Sequence, residues 1–321
     1  MYIFDAHIDT LGILAEQNGG EDLATLTGTH VNLAKMRRAG ISAQIFAIYV
    51  PDRYRHGLAL HKALKMVDIF WENLRKYPQE LQPLLWRSDC QIIEGNDMPI
   101  RCMLSLEGGE ALEGSIANLR NFFRLGVRAL TITWNHRNEL ADGVGEGKGA
   151  SGLSEFGREV VAEMNRLGMV IDVSHLAEPG FWDVLDESNQ PIIASHSNAY
   201  TLCQHRRNLT DAQIKAIADC GGVVGVNFYP GFLTKQPEMA DIEHVVEQIV
   251  HLIDVGGSET AALGSDFDGI GAVPVGLENV EKTPLLISKL KKRGLSEAVV
   301  EKVMGKNLLR VVRQVLPEKS S

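Results

Sequence analysis

The chain has 321 residues, 45% of them hydrophobic, and a formal net charge of −9 at pH 7. This acidic balance argues against nucleic-acid binding, which depends on Lys and Arg side chains that neutralise phosphates. No apolar run reaches the length of about 18 residues that a membrane span needs, and the first residues lack the pattern of a secretory signal peptide. The four cysteines form no Cys-x-x-Cys pair and indicate reduced thiols. We therefore expect a cytoplasmic protein, without membrane contact, whose residues 1–321 form a single domain.

Apolar runs of strand length, rich in β-branched residues, recur along the chain. In chain order they cover residues 2–9, 41–50, 101–108, 127–134, 169–175, 191–197, 223–229 and 261–269. Helical patterns lie between most of them, at 58–77, 154–168, 178–189, 209–222 and 240–257. Strands that alternate with helices indicate a parallel sheet, and eight such units predict a closed (β/α)8 TIM barrel. The stretch 295–316 is expected to form closing C-terminal helices.

Two helix ends carry local signals. Gly168 follows the second helical pattern and is expected to end it in a left-handed conformation. Thr210 and Gln213 have the spacing of a capping box at the start of the fourth. The Gly-rich stretch 142–152 lies in one strand-to-helix connection, and we expect it to be an active-site loop.

Residues able to bind a metal stand at the ends of five predicted strands. His7 and Asp9 end the first strand, Glu107 the third, His175 the fifth, His196 the sixth, and Asp266 and Asp268 the eighth. In a barrel the carboxyl ends of all strands lie on one face, where the active sites of this fold are built. These side chains, far apart in sequence, are therefore expected to converge.

Imidazole nitrogens and carboxylate oxygens are the ligands that Zn²⁺ and similar divalent ions prefer. Residues two apart in a strand point to the same face, so His7 and Asp9 can hold one ion together. His175 and His196 follow neighbouring strands and can hold a second ion, while Glu107 can bridge both. Two ions roughly 3.5–4 Å apart would share a water or hydroxide as nucleophile. The pattern thus predicts two Zn²⁺, or similar ions, per chain.

The chain resembles the renal (membrane) dipeptidase family of zinc metallopeptidases, within the amidohydrolase-type barrels. The similar stretches are FDAHIDT, SLEGGE, LTITWN, IDVSH, ASHSNAYTLCQHRRNLTD, VGVNFY, LGSDFDGI and GKNLLRV, which occur in the family's order along almost the whole chain. The ASHS…RRN and GSDFDG stretches are specific to the family, whereas His-x-Asp alone is a weak signal.

The resemblance implies a role for each matching residue. His7 and Asp9 bind one zinc, His175 and His196 bind the other, and Glu107 bridges the two. Arg207 holds the carboxylate of the substrate, which suits the planar fork of a guanidinium. Asp266 is the catalytic acid and base, Asp268 has a structural role, and Tyr229 and Asn227 belong to the substrate pocket.

One position departs from the family pattern. Several members have a histidine directly after the fourth strand, which contacts the substrate carbonyl. Here Trp134 occupies that position and Asn135 follows it, while His136 comes two residues later. His136 and Asn135 are therefore candidate substrate-binding residues, and His136 is the candidate substitute for the missing histidine.

The sequence thus predicts a zinc-dependent dipeptidase in which a hydroxide shared by two ions attacks the peptide bond. Dipeptides with a D-residue at the C-terminal position are candidate substrates, and a homodimer is the candidate assembly. One alternative is another metal-dependent hydrolase on the same scaffold, such as a deaminase or a lactonase. The other is a catalytically silent barrel that binds metal or peptide, although all five ligands and Asp266 are present.

Overall fold

The computed structural model describes residues 1–17, 21–55, 57–92 and 98–319. Within these ranges the parallel strands are β1 (Ile3–Ile8), β2 (Ile41–Tyr49), β3 (Leu81–Pro83), β4 (Ile100–Glu107), β5 (Val127–Thr131), β6 (Val170–Asp172), β7 (Ile193–Ala194), β8 (Val223–Val226) and β9 (Ala261–Leu263). Eight of them close into a barrel in the order β2-β1-β9-β8-β7-β6-β5-β4, and β2 pairs directly with β4 to complete the ring. The predicted (β/α)8 TIM barrel is confirmed.

The sequence reading did not include β3. This three-residue strand pairs with the first residues of β4, where β5 has not yet begun, and it lies outside the closed ring. A strand of that length buries too little to produce a periodic apolar pattern, so the sequence carries no signal for it.

Helices surround the barrel. The described α-helices are α1 (Thr10–Glu16), α2 (Leu33–Ala39), α3 (Ala59–Lys76), α4 (Ile116–Arg124), α5 (Glu155–Leu167), α6 (Glu178–Glu187), α7 (Asp211–Asp219), α8 (Pro230–Leu233), α9 (Ile242–Gly256), α10 (Leu285–Lys292), α11 (Glu297–Glu301) and α12 (Asn307–Val315). Both predicted helix ends are confirmed. Gly168 caps α5 with φ of 74°, and Thr210 and Gln213 form a reciprocal capping box on α7. In the described ranges, no helix combines the length and the apolar character required to cross a membrane.

β5, β6, β7, β8 and β9 are each shorter by several residues than the sequence predicted, and three of them leave predicted site residues outside the sheet. β6, β7 and β9 end before His175, His196 and Asp266, which lie in the loops just beyond the sheet. His175 and Asp266 have φ angles of 66° and 61°. A strand requires negative φ, so the ladder cannot continue through these residues. The predicted bounds were therefore wrong by several residues, although each residue does emerge at the carboxyl end of its strand.

The amino-terminal half of the barrel is filled by side chains and closed by α12. All eight barrel strands contribute to one buried apolar cluster through Phe4, Ala6, Ala43, Ile45, Met103, Ala129, Val170, Ile193, Val223 and Ala262. Leu308, Val311, Val312 and Val315 of α12 pack into the same cluster. Four of the ten strand positions are alanine, which leaves room for the helix side chains. The predicted closing helix thus seals the end opposite to the loops that follow the strands.

Candidate active site

Glu107, the last residue of β4, stands at the centre of the converging side chains. Its Oε2 lies 3.4 Å from Nε2 of His7, and its Oε1 lies 3.2 Å from Nε2 of His175 and 3.7 Å from Nε2 of His196. All four side chains are buried. The two oxygens of one carboxylate therefore face two different groups of ligands, as a bridging carboxylate must.

The two histidines on the β6 and β7 side present their Nε2 atoms to the site. Nδ1 of His175 lies 2.8 Å from Oδ1 of Asn135, an acceptor, so Nδ1 carries the proton. Nδ1 of His196 lies 2.7 Å from Oγ of Ser195, whose hydroxyl donates to Asp172 at 2.5 Å. Each Nε2 is then left with its lone pair. Partners of this kind fix the tautomer and direction of metal-binding histidines.

These lone pairs provide a test of whether a metal fits. The Nε2 atoms of His175 and His196 face each other at 2.8 Å, and with both Nδ1 atoms protonated no hydrogen lies between them. Burial, followed by the positive charges of nearby residues, holds the pKa of both imidazoles well below the ordinary value, so both are neutral. Two facing lone pairs beside a carboxylate repel each other unless a cation binds them. The donor set therefore fits a divalent ion here.

The β1 side offers a second set of donors. Nε2 of His7 lies 3.3 Å from Oδ2 of Asp9 and 4.0 Å from Oδ1 of Asp266. Both ring nitrogens of His7 and Oδ1 of Asp9 are buried and make no hydrogen bond to any described residue. Buried polar atoms without partners are costly, and a cation bound by them would remove that cost. This set also fits a divalent ion.

Three carboxylates are crowded into this buried region. Burial raises the pKa of Asp266 well above the ordinary carboxyl value; His7 opposes that rise, and the negative charges of Asp9 and Glu107 reinforce it. Burial alone would lower the pKa of His7, but the carboxylates of Glu107 and Asp9 raise it well above the usual imidazole value. Positive ions bound between these carboxylates would relieve their mutual repulsion.

The loop after β9 brings Asp266 to the site. Nδ2 of Asn227 donates to Oδ2 of Asp266 at 2.8 Å, which leaves Oδ1 directed toward His7. Gly269 lets the backbone of this loop lie close to the carboxylates of Asp9 and Asp266. A Cβ at that position would lie 2.2 Å from Oδ2 of Asp9 and 2.6 Å from Oδ1 of Asp266, so a side chain there would displace these carboxylates or the loop itself. Gly269, the second glycine of the GSDFDG stretch, therefore permits the close contact of the β9 loop with both carboxylates.

Asp268 also lines the cavity at this site, but both of its carboxylate oxygens already accept hydrogen bonds. Its Oδ2 accepts a hydrogen bond from the hydroxyl of Thr10 at 2.6 Å, and its Oδ1 accepts one from the backbone N–H of His30 at 2.6 Å. These bonds join the β9 loop to the segments that follow β1. Asp268 thus holds the wall of the site in place.

Arg207 lies in the loop after β7 and is 5% exposed, whereas Arg206 is exposed. Its Nη2 donates to the carbonyl of His196 at 3.0 Å, and its Nε has no hydrogen-bond partner among the described residues. Burial lowers its pKa to about 10, and the charges of Asp266, Glu107 and Asp172 oppose that shift. The guanidinium therefore remains protonated at neutral pH and can receive an anionic group.

A cavity of about 740 Å³ opens over these side chains at the carboxyl ends of the strands. The predicted residues that line it are Asp9, Glu107, Asn135, His175, Arg207, Tyr229, Asp266 and Asp268. His7 and His196 lie beneath them, in contact with Glu107. Tyr229 is 36% exposed at the rim, while Asn227 is buried and acts through Asp266.

The structure does not bring His136 to this cavity. Its side chain is 49% exposed and its Nε2 lies 3.6 Å from Oδ2 of Asp52, outside the described lining. Trp134 occupies the wall instead, with its ring 5.2 Å from that of Tyr49 and 6.0 Å from that of His175. Substrate contact by His136 is therefore not supported by the geometry, because the chain turns outward after Asn135.

The Gly-rich stretch 142–152 also differs from the expectation, because none of its residues lines the described cavity. The backbone N–H of Gly145 donates to the carbonyl of Asn135 at 2.7 Å, and that of Val144 donates to the carbonyl of His175 at 2.9 Å. A Cβ at Gly143 would lie 2.2 Å from the carbonyl oxygen of Trp134. The stretch packs behind the wall and supports it.

Sequence reasoning missed several supporting residues. Asp172 accepts the backbone N–H of Ser174 and of Ser195, both at 2.9 Å, as well as the Ser195 hydroxyl. Asp5 likewise accepts two hydrogen bonds from backbone N–H groups, those of His7 and Ser265, both at 3.0 Å. A signal was present, since each aspartate interrupts an apolar strand, and a buried carboxylate requires partners.

Tyr49 and Lys62 also line the cavity and were missed. Tyr49 is the last residue of β2 and pairs with Glu107 across the sheet. It therefore has the same strand-end position as the predicted residues, which is the signal that could have identified it. Lys62 lies on α3, where nothing in the sequence distinguishes it from the other helix lysines.

Comparison with known proteins places this geometry in a family. The family model for membrane dipeptidases (peptidase family M19) matches residues 1–320. The chain is 36% identical over 297 residues to an uncharacterised dipeptidase of Schizosaccharomyces pombe, covering 88% of this chain and 71% of that protein. It is 35% identical over 322 residues to Dipeptidase 3 of Mus musculus, covering 98% of this chain and 64% of the mouse protein.

A solved structure agrees with this result. A metallopeptidase from Rhodobacter sphaeroides, liganded with a phosphinate mimic of the dipeptide L-Ala-D-Ala, superposes with a TM-score of 0.91 at 29% identity. The match covers 98% of this chain and 99% of that one. From the converging side chains, the family model and these relatives together, the chain belongs to the membrane dipeptidase family of metallopeptidases.

Proposed function

We propose that the chain hydrolyses dipeptides with the help of two divalent ions, and that zinc is the ion it uses. The observation that carries this proposal is the position of Glu107, whose two oxygens face His7 on one side and the His175–His196 pair on the other. A carboxylate in that position can join two ions, which a site for a single ion would not require.

His7 and Asp9 would hold one ion, His175 and His196 the other, and Glu107 both. When bound, such ions supply an activated water and positive charge toward a developing oxyanion. Asn135 and Ser195 fix the rings of His175 and His196, so the lone pairs of both Nε2 atoms are already directed toward the position of the ion. The chain thus presents a preorganised set of ligands.

Asp266 would transfer the proton. Asn227 holds its Oδ2, and its Oδ1 is directed into the site. From there the carboxylate can accept a proton from the attacking water and donate it to the leaving amine nitrogen. General acid–base help of this kind contributes roughly 10²–10⁴-fold to the rate.

Arg207 would select the substrate by its free carboxylate. The guanidinium lies in the cavity wall with Nε unpartnered and a charge that persists at neutral pH. Bidentate pairing with a carboxylate fixes the C-terminal residue at one end of the cavity. The relative from Rhodobacter sphaeroides was solved with a mimic of L-Ala-D-Ala, which supports a D-residue at that position as a substrate here.

A library of L,L and L,D dipeptides, assayed with zinc-reconstituted protein, tests the proposal. We expect hydrolysis of dipeptides and close to two zinc equivalents by elemental analysis. The Glu107→Gln variant should lose affinity for both ions, and the His175→Ala variant mainly for one. Two bound equivalents without turnover of any dipeptide would favour a silent binding protein or another hydrolase activity, and near-zero metal after reconstitution would contradict the two-ion site.

A further inference from the structure

The barrel order fixes the direction in which a dipeptide would lie. Around the closed ring, β7 is four strands from β2 in either direction. Arg207 follows β7, whereas Tyr49 ends β2 and Lys62 lies on α3, the helix after β2. A substrate whose carboxylate binds Arg207, with its peptide bond over the converging ligands, must direct its N-terminal residue toward the β2 side.

Lys62 is the basic residue on that side. Of the residues that line the described cavity, Arg207 and Lys62 are the two with basic side chains. Lys62 is half-buried, its ammonium lies 4.1 Å from the centre of the Tyr54 ring, and it forms no ion pair within the described parts of the chain. Glu16, the nearby acidic lining residue, is already paired with Arg53 at 2.9 Å. The β2 wall therefore has one uncompensated positive charge.

The surroundings of Lys62 suit a short side chain with a charged end. Met66 lies four residues later on α3 and also lines the cavity, so both side chains share one helix face. Ile13 of α1 contributes further apolar surface. The methylene groups of a substrate side chain can pack on Ile13 and Met66 while a terminal carboxylate reaches the ammonium.

We propose that Lys62 makes this site prefer dipeptides whose N-terminal residue has an acidic side chain. The preference rests on the proposed dipeptidase function and specifies its substrate class. Arg207 binds the main-chain carboxylate at one end of the cavity, and Lys62 binds the side-chain carboxylate at the other. A basic N-terminal residue would place like charges together and bind less well.

The test compares kcat/KM for Glu-Ala, Gln-Ala and Lys-Ala, made with whichever alanine stereoisomer the library shows to be cleaved. The wild-type protein should prefer Glu-Ala over Gln-Ala by about two- to fivefold, the effect of a partly exposed ion pair. Lys62→Gln should reduce this ratio to about one, Lys62→Arg should retain it, and Lys62→Glu should favour Lys-Ala. Lys65→Gln is the matched control, since its ammonium bonds the carbonyl of Ala15 at 2.6 Å and does not line the cavity.

A second measurement does not depend on any variant. Because Lys62 is partly exposed, the wild-type preference for Glu-Ala should decline as salt is raised toward about 1 M, where charges are screened within about 3 Å. An equal Glu-Ala to Gln-Ala ratio in wild type and Lys62→Gln, or a ratio that salt does not change, would overturn the preference alone. No turnover of any dipeptide would overturn the proposed function and this preference with it.

Discussion

At the scale of single residues, neighbours of the same type have different positions and therefore different roles. Arg206 is exposed while Arg207 is buried in the cavity wall. Asp266 faces His7, while Asp268 accepts bonds from Thr10 and from the His30 backbone. In each pair, the loop conformation decides which side chain points to the other groups of the candidate active site.

Arg207→Ala should raise KM for dipeptides far more than Arg206→Ala does. Loss of a charge-assisted pair weakens binding by roughly 1.5–3 kcal/mol, which is about a ten- to hundredfold decrease in kcat/KM. Steady-state kinetics with a free-acid dipeptide and its C-terminal amide measures the effect. The amide has no carboxylate for Arg207 to bind. An equal decrease in kcat/KM for both substrates would therefore show that Arg207 does not hold the carboxylate.

Asp266→Asn should reduce kcat by roughly 10²-fold or more, because an amide cannot accept and return the proton. The asparagine can still accept the hydrogen bond from Asn227. Metal content, measured by elemental analysis on the same preparation, should remain near the wild-type value. Unchanged turnover would assign the proton transfer to another group.

At the scale of elements, the loops that follow the strands bring the site together. β6, β7 and β9 stop before His175, His196 and Asp266, and the positive φ angles of His175 and Asp266 redirect the chain there. Asp172 and Asp5 stabilise the points where the chain leaves the strands. Each carboxylate accepts one hydrogen bond from the backbone N–H two residues later and one from a backbone N–H in a neighbouring loop. Residues in this region of φ are costly and persist where the surroundings support them.

Gly269→Ala should reduce kcat/KM by about a hundredfold, since displacing reacting groups by about 1 Å has that effect. The new methyl group would press on the carboxylates of Asp9 and Asp266. Gly149→Ala is the control. Gly149 is exposed, its Cβ would meet no atom within 4 Å, and it does not line the cavity. Equal activity of the two variants would show that the β9 loop can shift to accommodate a side chain.

At the scale of the whole molecule, the apolar cluster that stabilises the fold and the candidate active site lie at opposite ends of the barrel. The carboxyl ends hold the cavity with the converging ionisable side chains, while α12 and the first halves of the strands form an apolar cluster. Changes in α12 should therefore affect folding without altering the ligands.

Leu308→Ala should lower the free energy of unfolding by about 2–5 kcal/mol, because the side chain is fully buried in this cluster. Denaturant unfolding followed by circular dichroism measures the change. Gln314→Ala, at an exposed position of the same helix, should change stability by less than about 0.5 kcal/mol. The folded Leu308→Ala protein should keep its metal content. A small effect of Leu308→Ala would show that the cluster can collapse around the lost volume.

The barrel and the set of converging residues could both be predicted from the amino-acid sequence. Eight apolar runs separated by helices specify a parallel ring, and strand ends of parallel neighbours meet on one face. His7, Asp9, Glu107, His175 and His196 were found in this way, and their spacing required no knowledge of the loops. The family resemblance added Arg207, whose position in a loop carries no periodic signal, and it added the role of Asp266, which the strand-end pattern had already included.

The details that depend on where the backbone leaves the regular strand geometry could not be predicted and became visible in the folded chain. In β1, Phe4 and Ala6 face the α12 cluster, yet His7 and Asp9 face the site while Ile8 packs in the outer core. If side chains alternated strictly between the two faces of β1, Phe4 and Ala6 could not point into the barrel together with His7 and Asp9. The register with β2 shifts between Asp5 and Ile8, which resolves this conflict. One such shift moves every later side chain to the other face. Likewise, the outward turn after Asn135 removed His136 from the cavity, and the packing of α3 against β2 brought Lys62 to it, because contacts between distant segments fix both positions.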